Sequence, residues 1–374
     1  MKFRVERDVL ADAVAWTARS LPARPAVPVL GGVLLEVADG TLTVAGFDYE
    51  VSTQVEVEVH ASVDGRALVS GRLLAEISRA LPPHPVDVAV DGPRVTIACG
   101  SARFTLPLMP VEDYPTLPSM PTTAGVVDSA TFATAVSQVA VAAGRDDTLP
   151  MLTGVRLEIE GEQLRLAATD RYRLAVRELL WKPEQSNLSA QVLIPARTLA
   201  ESAKTLTTGS EVTIALSSSG GAGEGMIGFA GPGRRSTTRL LDAEFPKYRS
   251  LFPTEWSATA DIAVPALLEA VKRVALVADR GTPVRLDFST GTLALTAGGD
   301  DEGRAEEQLE VEFGGDPLTI AFNPAFLVDG LTAVHAGVAR MSFTTPSKPS
   351  VVTAVDGDGT TDFRYLIMPV RLPG

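Results

Sequence analysis

Side chains that commonly carry out chemistry are sparse and scattered in this sequence. The three histidines, His60, His84 and His335, lie far apart, and the single cysteine is Cys99. A zinc site needs clustered cysteine and histidine ligands, which this spacing does not supply. The sequence also has no Gly-Lys-Ser/Thr phosphate loop and no Gly-x-Ser-x-Gly elbow. We therefore predict a protein with no catalytic residue, metal or cofactor. For the enzyme alternative, an α+β hydrolase, no nucleophile and base can be named.

Two further patterns resemble functional motifs. Asp146 and Asp147 could be paired acid–base carboxylates, but we favour a cap and turn after a helix. The glycine-rich stretch 220–225 joins two predicted strands with no helix after it. This arrangement predicts the tip of a hairpin and not a phosphate-binding loop.

One turn carries more chemistry than a turn needs. Apolar residues alternate on both sides of Asp170 in the stretch 163–179, which predicts a tight hairpin. The turn itself bears Arg171, Tyr172 and Arg173. Two cations and an aromatic ring at a hairpin tip suggest that this turn has a role beyond folding.

The C-terminal stretch is unusually apolar for a chain end. Leu366, Met368, Val370 and Leu372 alternate as in a strand, and Pro369 argues against a central position in a sheet. One interpretation is a last core strand. The other is that exposed apolar side chains beside the aromatic turn form an adaptable peptide-binding groove. The residue types alone leave both interpretations open.

The elements that position these residues occur three times. A helix, a turn and a strand recur at 7–37, 129–159 and 264–288, and a second helix recurs at 70–77, 195–202 and 323–330. Ser70 and Asn323 suit the N-cap of that second helix. Proline, serine and threonine collect near 118–125 and 253–257, which predicts linkers there. We therefore predict an α+β protein of three tandem domains, 1–122, 126–253 and 257–374. The positions that recur at helical spacing are Leu10, Val14, Thr17, Leu21, Phe132, Val136, Val139, Ala143, Leu267, Val271, Val274 and Ala278.

Composition indicates a soluble protein of a reducing compartment. Of 374 residues, 45% are hydrophobic and 21% charged, and no apolar run approaches a membrane span. The charged N-terminal stretch has no signal-peptide core, and a single cysteine excludes an internal disulfide. We therefore predict a cytoplasmic location.

The net charge of −13 argues at first against nucleic acid. However, the predicted helices are mildly basic, whereas the strands and loops carry most of the acidic residues. One explanation is that these are solvated helix faces. The other is that the helices share a surface that contacts the phosphates of duplex DNA without reading its sequence. On helix position alone, the candidates for such contacts are Arg72, Arg145, Arg197 and Arg280.

The whole chain resembles one known family. Stretches 1–7, 21–25, 169–176, 245–249 and 368–372 are similar to motifs of the bacterial β sliding clamp of the replicative DNA polymerase. The resemblance implies a head-to-tail homodimer that forms a ring, with helices lining the hole and sheets outside. It also implies no catalysis, loading onto double-stranded DNA by an ATP-driven clamp loader, and tethering of polymerases and repair proteins. The alternative is a non-replicative clamp paralogue that acts as a peptide-binding scaffold.

The resemblance also implies residue roles. Partners with short motifs of glutamine and apolar residues would bind a groove, and Arg24 would contact DNA. Arg171 and Tyr172 depart from the Gly-His of well-known members. The groove would comprise Leu152, Thr169, Arg171, Tyr172, Arg173, Leu174, Pro246, Leu251, Ser350, Met368, Pro369, Val370, Arg371 and Leu372. The dimer seam would comprise Arg103, Phe104, Leu106, Leu276, Val277, Glu306 and Glu307.

Overall fold

The predicted apolar stripes form helices whose striped faces are buried. A computed structural model describes residues 1–217, 225–278, 282–299, 303–355 and 362–371. Ten of the twelve recurring positions are buried in it, which confirms the helical periodicity. The other two, Leu21 and Ala278, are half-buried and lie beyond the ends of their helices. The α-helices of these residues are α1 (Arg7–Ala18), α2 (Gly71–Ala80), α3 (Ser129–Ala140), α4 (Pro150–Thr153), α5 (Ala196–Thr205), α6 (Val264–Val274) and α7 (Pro324–Ala333). Short 3-10 turns span Pro28–Gly31, Val111–Asp113, Arg249–Leu251 and Ala275–Val277.

The two predicted N-caps differ. The Asn323 side chain accepts hydrogen bonds from the backbone N–H groups of Ala325 (2.9 Å) and Phe326 (3.4 Å), so this prediction is confirmed. Ser70 occupies the N-cap position of α2, as predicted, but its side chain makes no capping hydrogen bond. Ser70 is the last residue of a strand and pairs with Gly32, and α2 begins at the next residue.

The strands of the first half of the chain are as follows: β1 (Lys2–Val5), β2 (Gly32–Ala38), β3 (Thr41–Phe47), β4 (Val51–Glu58), β5 (His60–Val63), β6 (Gly65–Ser70), β7 (Val86–Asp91), β8 (Arg94–Cys99), β9 (Ala102–Pro107), β10 (Thr122–Asp128), β11 (Gly154–Glu160), β12 (Gln163–Thr169), β13 (Arg173–Leu180), β14 (Lys182–Pro183) and β15 (Ser189–Pro195). Those of the second half are β16 (Glu211–Leu216), β17 (Met226–Gly231), β18 (Arg234–Arg239), β19 (Ala258–Ala263), β20 (Val284–Ser289), β21 (Thr292–Gly299), β22 (Gly303–Glu310), β23 (Glu312–Gly314), β24 (Leu318–Phe322), β25 (Val338–Phe343), β26 (Ser350–Ala354) and β27 (Phe363–Ile367).

The chain forms two compact units. The first comprises Met1–Ala130, Lys182–Gln185 and Glu201–Leu240, and the second comprises Thr131–Trp181, Ser186–Ala200 and Leu241–Gly374. The first contains a five-stranded sheet, β5-β1-β7-β8-β9, and a nine-stranded sheet, β14-β10-β16-β17-β18-β4-β3-β2-β6. The second contains a nine-stranded sheet, β15-β11-β12-β13-β27-β26-β25-β19-β23, and a four-stranded sheet, β22-β21-β20-β24.

Each nine-stranded sheet joins strands from two successive sequence repeats. In the first unit β18 pairs with β4, and in the second β13 pairs with β27. Pairing satisfies backbone groups that an isolated repeat would leave open along a strand edge. A sequence repeat is therefore not the same as a compact unit in this protein.

The predicted hairpin is confirmed within the second nine-stranded sheet. Strands β12 and β13 pair in register from Gln163↔Leu180 to Thr169↔Leu174. On its other side β13 pairs with β27, where Arg173 lies opposite Ile367. The hairpin and the last strand thus share one sheet. Among the described residues, none of the helices has the length and apolar character needed to cross a bilayer.

Candidate functional site

The turn between β12 and β13 is shaped by its own aspartate. Asp170 Oδ1 accepts hydrogen bonds from the backbone N–H groups of Tyr172 (3.0 Å) and Arg173 (3.1 Å). The Thr169 hydroxyl donates to the carbonyl of Arg173 at 2.6 Å. Arg171 has φ of +80°, a left-handed conformation that costs a non-glycine residue free energy. The hydrogen bonds of Asp170 and Thr169 hold this strained turn in place.

Arg173 anchors the turn to the rest of the second unit. Its side chain is only 7% exposed, and it donates to Asp170 Oδ2 (2.9 Å) and Asp329 Oδ2 (2.5 Å). Its guanidinium also lies 4.4 Å from the centroid of the Phe326 ring. Burial opposes the charge, but Tyr365, Asp329 and Asp170 outweigh it and raise the pKa of Arg173. The turn is therefore fixed to α7 by a buried cation.

An exposed aromatic side chain stands beside this anchor. Tyr172 is 61% exposed, and its ring stacks on Phe326 with centroids 6.2 Å apart. The Tyr172 carbonyl accepts a hydrogen bond of 2.8 Å from the N–H of Met368, which directly follows β27. The C-terminal segment is then held again where Val370 N–H donates to the carbonyl of Ala321 (2.8 Å). The aromatic turn and the chain end thus meet, as both sequence interpretations require.

Residues 245–252, here called the wall loop, also carry predicted groove residues. Phe245 and Tyr248 are buried in a cluster with Leu174 and Leu366, whereas Leu251 is exposed. The loop is held by Arg249, which donates to Glu158 on β11 at 2.6 Å.

Glu158 is the centre of that anchor. It is 2% exposed and is also bound by Arg156 (2.7 Å) and Arg165 (3.1 Å). Burial raises the pKa of the Glu158 carboxyl, but the hydrogen bonds from Arg249 and Arg165 outweigh it and lower the pKa overall. Glu158 is therefore ionised at neutral pH and fixes the wall loop to the sheet.

The structure places the predicted groove residues on the turn, on α4, in the wall loop, on β26 and in the C-terminal segment, all within the second unit. Leu152, Thr169, Leu174 and Ser350 are buried, and the Ser350 hydroxyl has no hydrogen-bond partner in the described part of the chain. The half-buried members are Pro246, Pro369 and Val370, and the exposed ones are Arg171, Tyr172, Leu251, Met368 and Arg371. Leu372 lies outside the described residues.

Sequence reasoning missed three residues of this site. Phe326 and Asp329 contact Arg173 from α7, and Glu158 holds the wall loop. The helix that carries Phe326 and Asp329 was recognised as a repeated element, and only its alignment with the earlier copies could have singled them out. Gly330, next to Asp329, is required there because a Cβ would lie 2.3 Å from the Tyr365 ring.

The predicted DNA-contacting arginines are on the surface. Arg24, Arg145 and Arg197 are exposed, and none has an ion-pair partner among the described residues. Arg72 is exposed as well and forms an ion pair with Glu76, one helical turn away on α2. Arg280 lies outside the described residues.

The predicted seam residues lie on two strand edges and one turn. Strand β9 forms an edge of the five-stranded sheet, with Arg103 exposed and Phe104 half-buried. Leu106 on the same strand is buried within its own unit. In the second unit Leu276 is 83% exposed and Val277 half-buried.

The two predicted seam carboxylates differ in their surroundings. Both lie on β22, an edge of the four-stranded sheet. Glu307 accepts two hydrogen bonds from Arg273 of the same chain (2.6 and 3.0 Å). Glu306 is exposed and lies 3.9 Å from Arg304. Glu306 is therefore the freer partner for a cation from outside the unit.

The groups that could do chemistry are dispersed. His60, His84 and His335 are exposed, as the sequence predicted for the first two. Asp146 accepts from the hydroxyl (2.6 Å) and the N–H (3.0 Å) of Thr148, which lower the pKa of its carboxyl and confirm the turn interpretation. Within the described ranges, no three His, Cys, Asp or Glu side chains come together as metal ligands.

Comparison with known proteins assigns this fold to a family. Family models of the DNA polymerase III beta subunit match residues 1–118 (N-terminal domain), 126–247 (central domain) and 249–371 (C-terminal domain). The fold is therefore that of a DNA clamp, built from three tandem domains of helices and antiparallel sheets. The chain belongs to the DNA polymerase III β subunit family, the bacterial sliding clamps, which are non-catalytic processivity factors.

Individual relatives agree over the full length. The beta sliding clamp of Streptomyces coelicolor is 59% identical, and the match covers 100% of both chains. A beta sliding clamp homolog, GriR of Streptomyces muensis, is 47% identical over 99% of both. The crystal structure of a Pseudomonas aeruginosa sliding clamp bound to griselimycin has a TM-score of 0.92 at 29% identity, again over 100% of both chains.

Proposed function

We propose that the chain acts as a DNA sliding clamp, a cytoplasmic head-to-tail homodimer that encircles duplex DNA. It tethers the replicative polymerase, and the clamp loader and repair proteins use the same groove. The observation that carries this proposal is the match of all three clamp-domain models in order along the chain. The domain limits proposed from the sequence are 1–122, 126–253 and 257–374.

Two open strand edges support the homodimer. Strand β9 carries the exposed cation Arg103, and β22 carries Glu306 and Glu310, also exposed. Pairing β9 of one protomer with β22 of its partner extends the two sheets into one and satisfies both edges. Phe104 and Leu276 supply apolar area at the seam, and the charges set the register.

Exposed arginines that have no ion-pair partner among the described residues support the contact with DNA. Arg24, Arg145 and Arg197 keep their charge free although the chain as a whole carries −13. Free cations on an acidic protein hold phosphates loosely where they lie, while the acidic remainder repels DNA elsewhere. Encirclement retains the ring on DNA, so weak contacts suffice and permit sliding.

The aromatic turn supports the docking of partners. Tyr172, Leu251 and Met368 expose apolar surface beside the buried residues Thr169 and Leu174. An apolar anchor of a partner peptide fits such a surface.

One experiment distinguishes a clamp that encircles DNA from the alternative function, a non-replicative paralogue that acts as a peptide-binding scaffold. The protein is loaded onto nicked circular DNA with its clamp loader and ATP, and the DNA is then linearised. A ring stays on circles and runs off linear ends. Equal retention on both DNA forms would contradict encirclement. Light scattering at micromolar concentration should give the mass of a dimer, and a monomer would count against a closed ring.

A further inference from the structure

Four cations lie on or next to four of the five chain segments that carry the predicted groove residues. Arg171 is on the turn, Lys247 in the wall loop, Lys348 two residues before Ser350, and Arg371 in the C-terminal segment. All four side chains are exposed. In the described part of the chain, no carboxylate lies within ion-pair distance, 4.0 Å, of any of them. The groove therefore has a rim of unpaired positive charge.

The other cations of these segments are already neutralised. Arg173 is bound by Asp170 and Asp329, and Arg249 by Glu158. These two arginines hold the groove together and have little charge to offer a ligand. The four rim cations have no such structural role, which leaves them free to meet charges on a partner.

Few carboxylates oppose the rim. Glu244 is the exposed acid closest in sequence to the wall loop. Asp146 acts on Arg171 from beyond ion-pair distance, and its oxygen Oδ1 is held by Thr148. In a chain of net charge −13, a groove bordered by four free cations is a local reversal of sign.

We propose that the groove selects partner peptides in which acidic residues flank the glutamine and apolar core. The inference deepens the proposed function and rests on it, because it assumes that the groove binds such a core. The apolar floor supplies most of the affinity. The rim distinguishes acidic from neutral or basic flanks and speeds association with acidic partners.

The expected effect is moderate because the rim is exposed. Each solvent-exposed ion pair changes affinity by a small factor, so two or three pairs together give about 3- to 10-fold at low salt. Salt screens such pairs, and the preference should largely vanish when the Debye length falls well below about 10 Å.

The test uses two peptides with the same glutamine and apolar core. One carries glutamate on both flanks, and the other carries glutamine at those positions. Fluorescence polarisation with the full-length dimer gives both Kd values at about 50 mM and about 500 mM salt. We expect the acidic peptide to bind about 3- to 10-fold more tightly at low salt only. Equal affinities at low salt would overturn the proposal.

A charge-removal variant tests the residues named. Lys247→Gln and Lys348→Gln, which lie outside the predicted set of groove residues, are combined, and the preference for the acidic peptide should fall while the neutral peptide binds as before. Lys2→Gln removes another exposed charge, from β1 in the first unit, and should change nothing. A preference that the double change leaves undiminished would overturn the assignment to the rim. Melting curves confirm that the variants fold.

Failure of the groove itself gives a different result. If the neutral peptide binds Arg173→Ala as well as it binds the unmodified chain, the groove lies elsewhere and the proposed function of this site fails. If the neutral peptide depends on Arg173 but acidic flanks add no affinity, only the charge selection is overturned.

Discussion

The turn at Asp48 in the first unit and the turn at Asp170 in the second have the same backbone. Asp48 Oδ1 accepts from the N–H groups of Glu50 (3.0 Å) and Val51 (2.7 Å), just as Asp170 does two and three residues on. Tyr49 has φ of +75° where Arg171 has +80°. The Glu50 carbonyl also accepts from a neighbouring segment, through Arg239 N–H at 3.0 Å.

The side chains on the two turns differ at every position that matters. Where the second turn has Tyr172 and Arg173, the first has Glu50 and Val51, so it lacks the buried cation. Its exposed ring is Tyr49, which stands at the position that Arg171 has in the second turn. Before the aspartate the first turn has Phe47, whose N–H donates to the hydroxyl of the buried Tyr114 at 2.7 Å.

The comparison separates architecture from function. An aspartate, a left-handed residue and a paired neighbouring segment are enough to build the turn, and both copies have them. Only the second copy combines an exposed tyrosine, an arginine anchor and an apolar chain end. The first copy buries Phe47 and Tyr114 together in the core and exposes Tyr49 where the second copy has Arg171.

The largest expected effect comes from removing the anchor that only the second turn has. Arg173→Ala leaves Asp329 and Asp170 without their cation, and we expect peptide affinity to fall at least tenfold, about 1.4 kcal/mol or more. Val51→Ala at the matching position of the first turn should leave affinity unchanged. Fluorescence polarisation measures both, and light scattering should show that both remain dimers. Equal losses of peptide affinity in the two variants would show that the second turn is not the specific docking site.

The next largest effect concerns the anchor of the wall loop in the second unit. We expect Glu158→Gln to cost about 2 to 3 kcal/mol of unfolding free energy at pH 7, because it removes a buried carboxylate from three arginines. Since the pKa of the Glu158 carboxyl is lowered on folding, this stabilisation is present above the unfolded-state pKa of about 4.3 and is lost as pH falls below it.

Chemical denaturation between pH 7 and pH 3 checks this prediction. The stability difference between the unmodified chain and Glu158→Gln should be full at pH 7 and shrink below about pH 4. A difference that stays constant over this range would show that the carboxylate charge does not hold the wall loop.

In the first unit a neutral hydrogen bond joins Phe47, just before the Asp48 turn, to Tyr114. Burial raises the pKa of Tyr114 to about 12, so its hydroxyl stays protonated and accepts from Phe47 throughout the physiological range. Tyr114→Phe should cost about 1 kcal/mol in unfolding free energy and leave peptide affinity unchanged. Loss of peptide binding in this variant would mean that the first turn takes part in docking.

The smallest effect tests the strained residue of each turn. Glycine adopts positive φ without the Cβ penalty, so Arg171→Gly and Tyr49→Gly should each change stability by no more than about 1 kcal/mol. Only Arg171→Gly should reduce the preference for acidic peptides. Thermal melts and the two-peptide assay measure this, and equal preferences in both variants would remove Arg171 from the rim.

Local patterns predicted the hairpin, the buried helical stripes and the residues of the aromatic turn, because alternation and helical period act over a few residues. The anchors could not be predicted in this way. Arg173 and Asp329 are 156 residues apart, and Arg249 and Glu158 are 91 apart, so only the fold brings them together. A local pattern can also predict an interaction that the fold does not form. Ser70 is a good capping residue, but it also ends β6, where it pairs with Gly32, and its side chain makes no capping hydrogen bond.

The most direct test of the central claim places a photoreactive benzoylphenylalanine at either of the two matching positions, 172 or 50, in the full-length dimer. A labelled peptide with a glutamine and apolar core is added, irradiated and located by mass spectrometry. If the second turn alone is the docking site, the peptide crosslinks to the dimer modified at position 172 and unlabelled competitor peptide suppresses the reaction. Crosslinking at position 50 to an equal extent, or competitor-insensitive crosslinking at 172, would contradict the account.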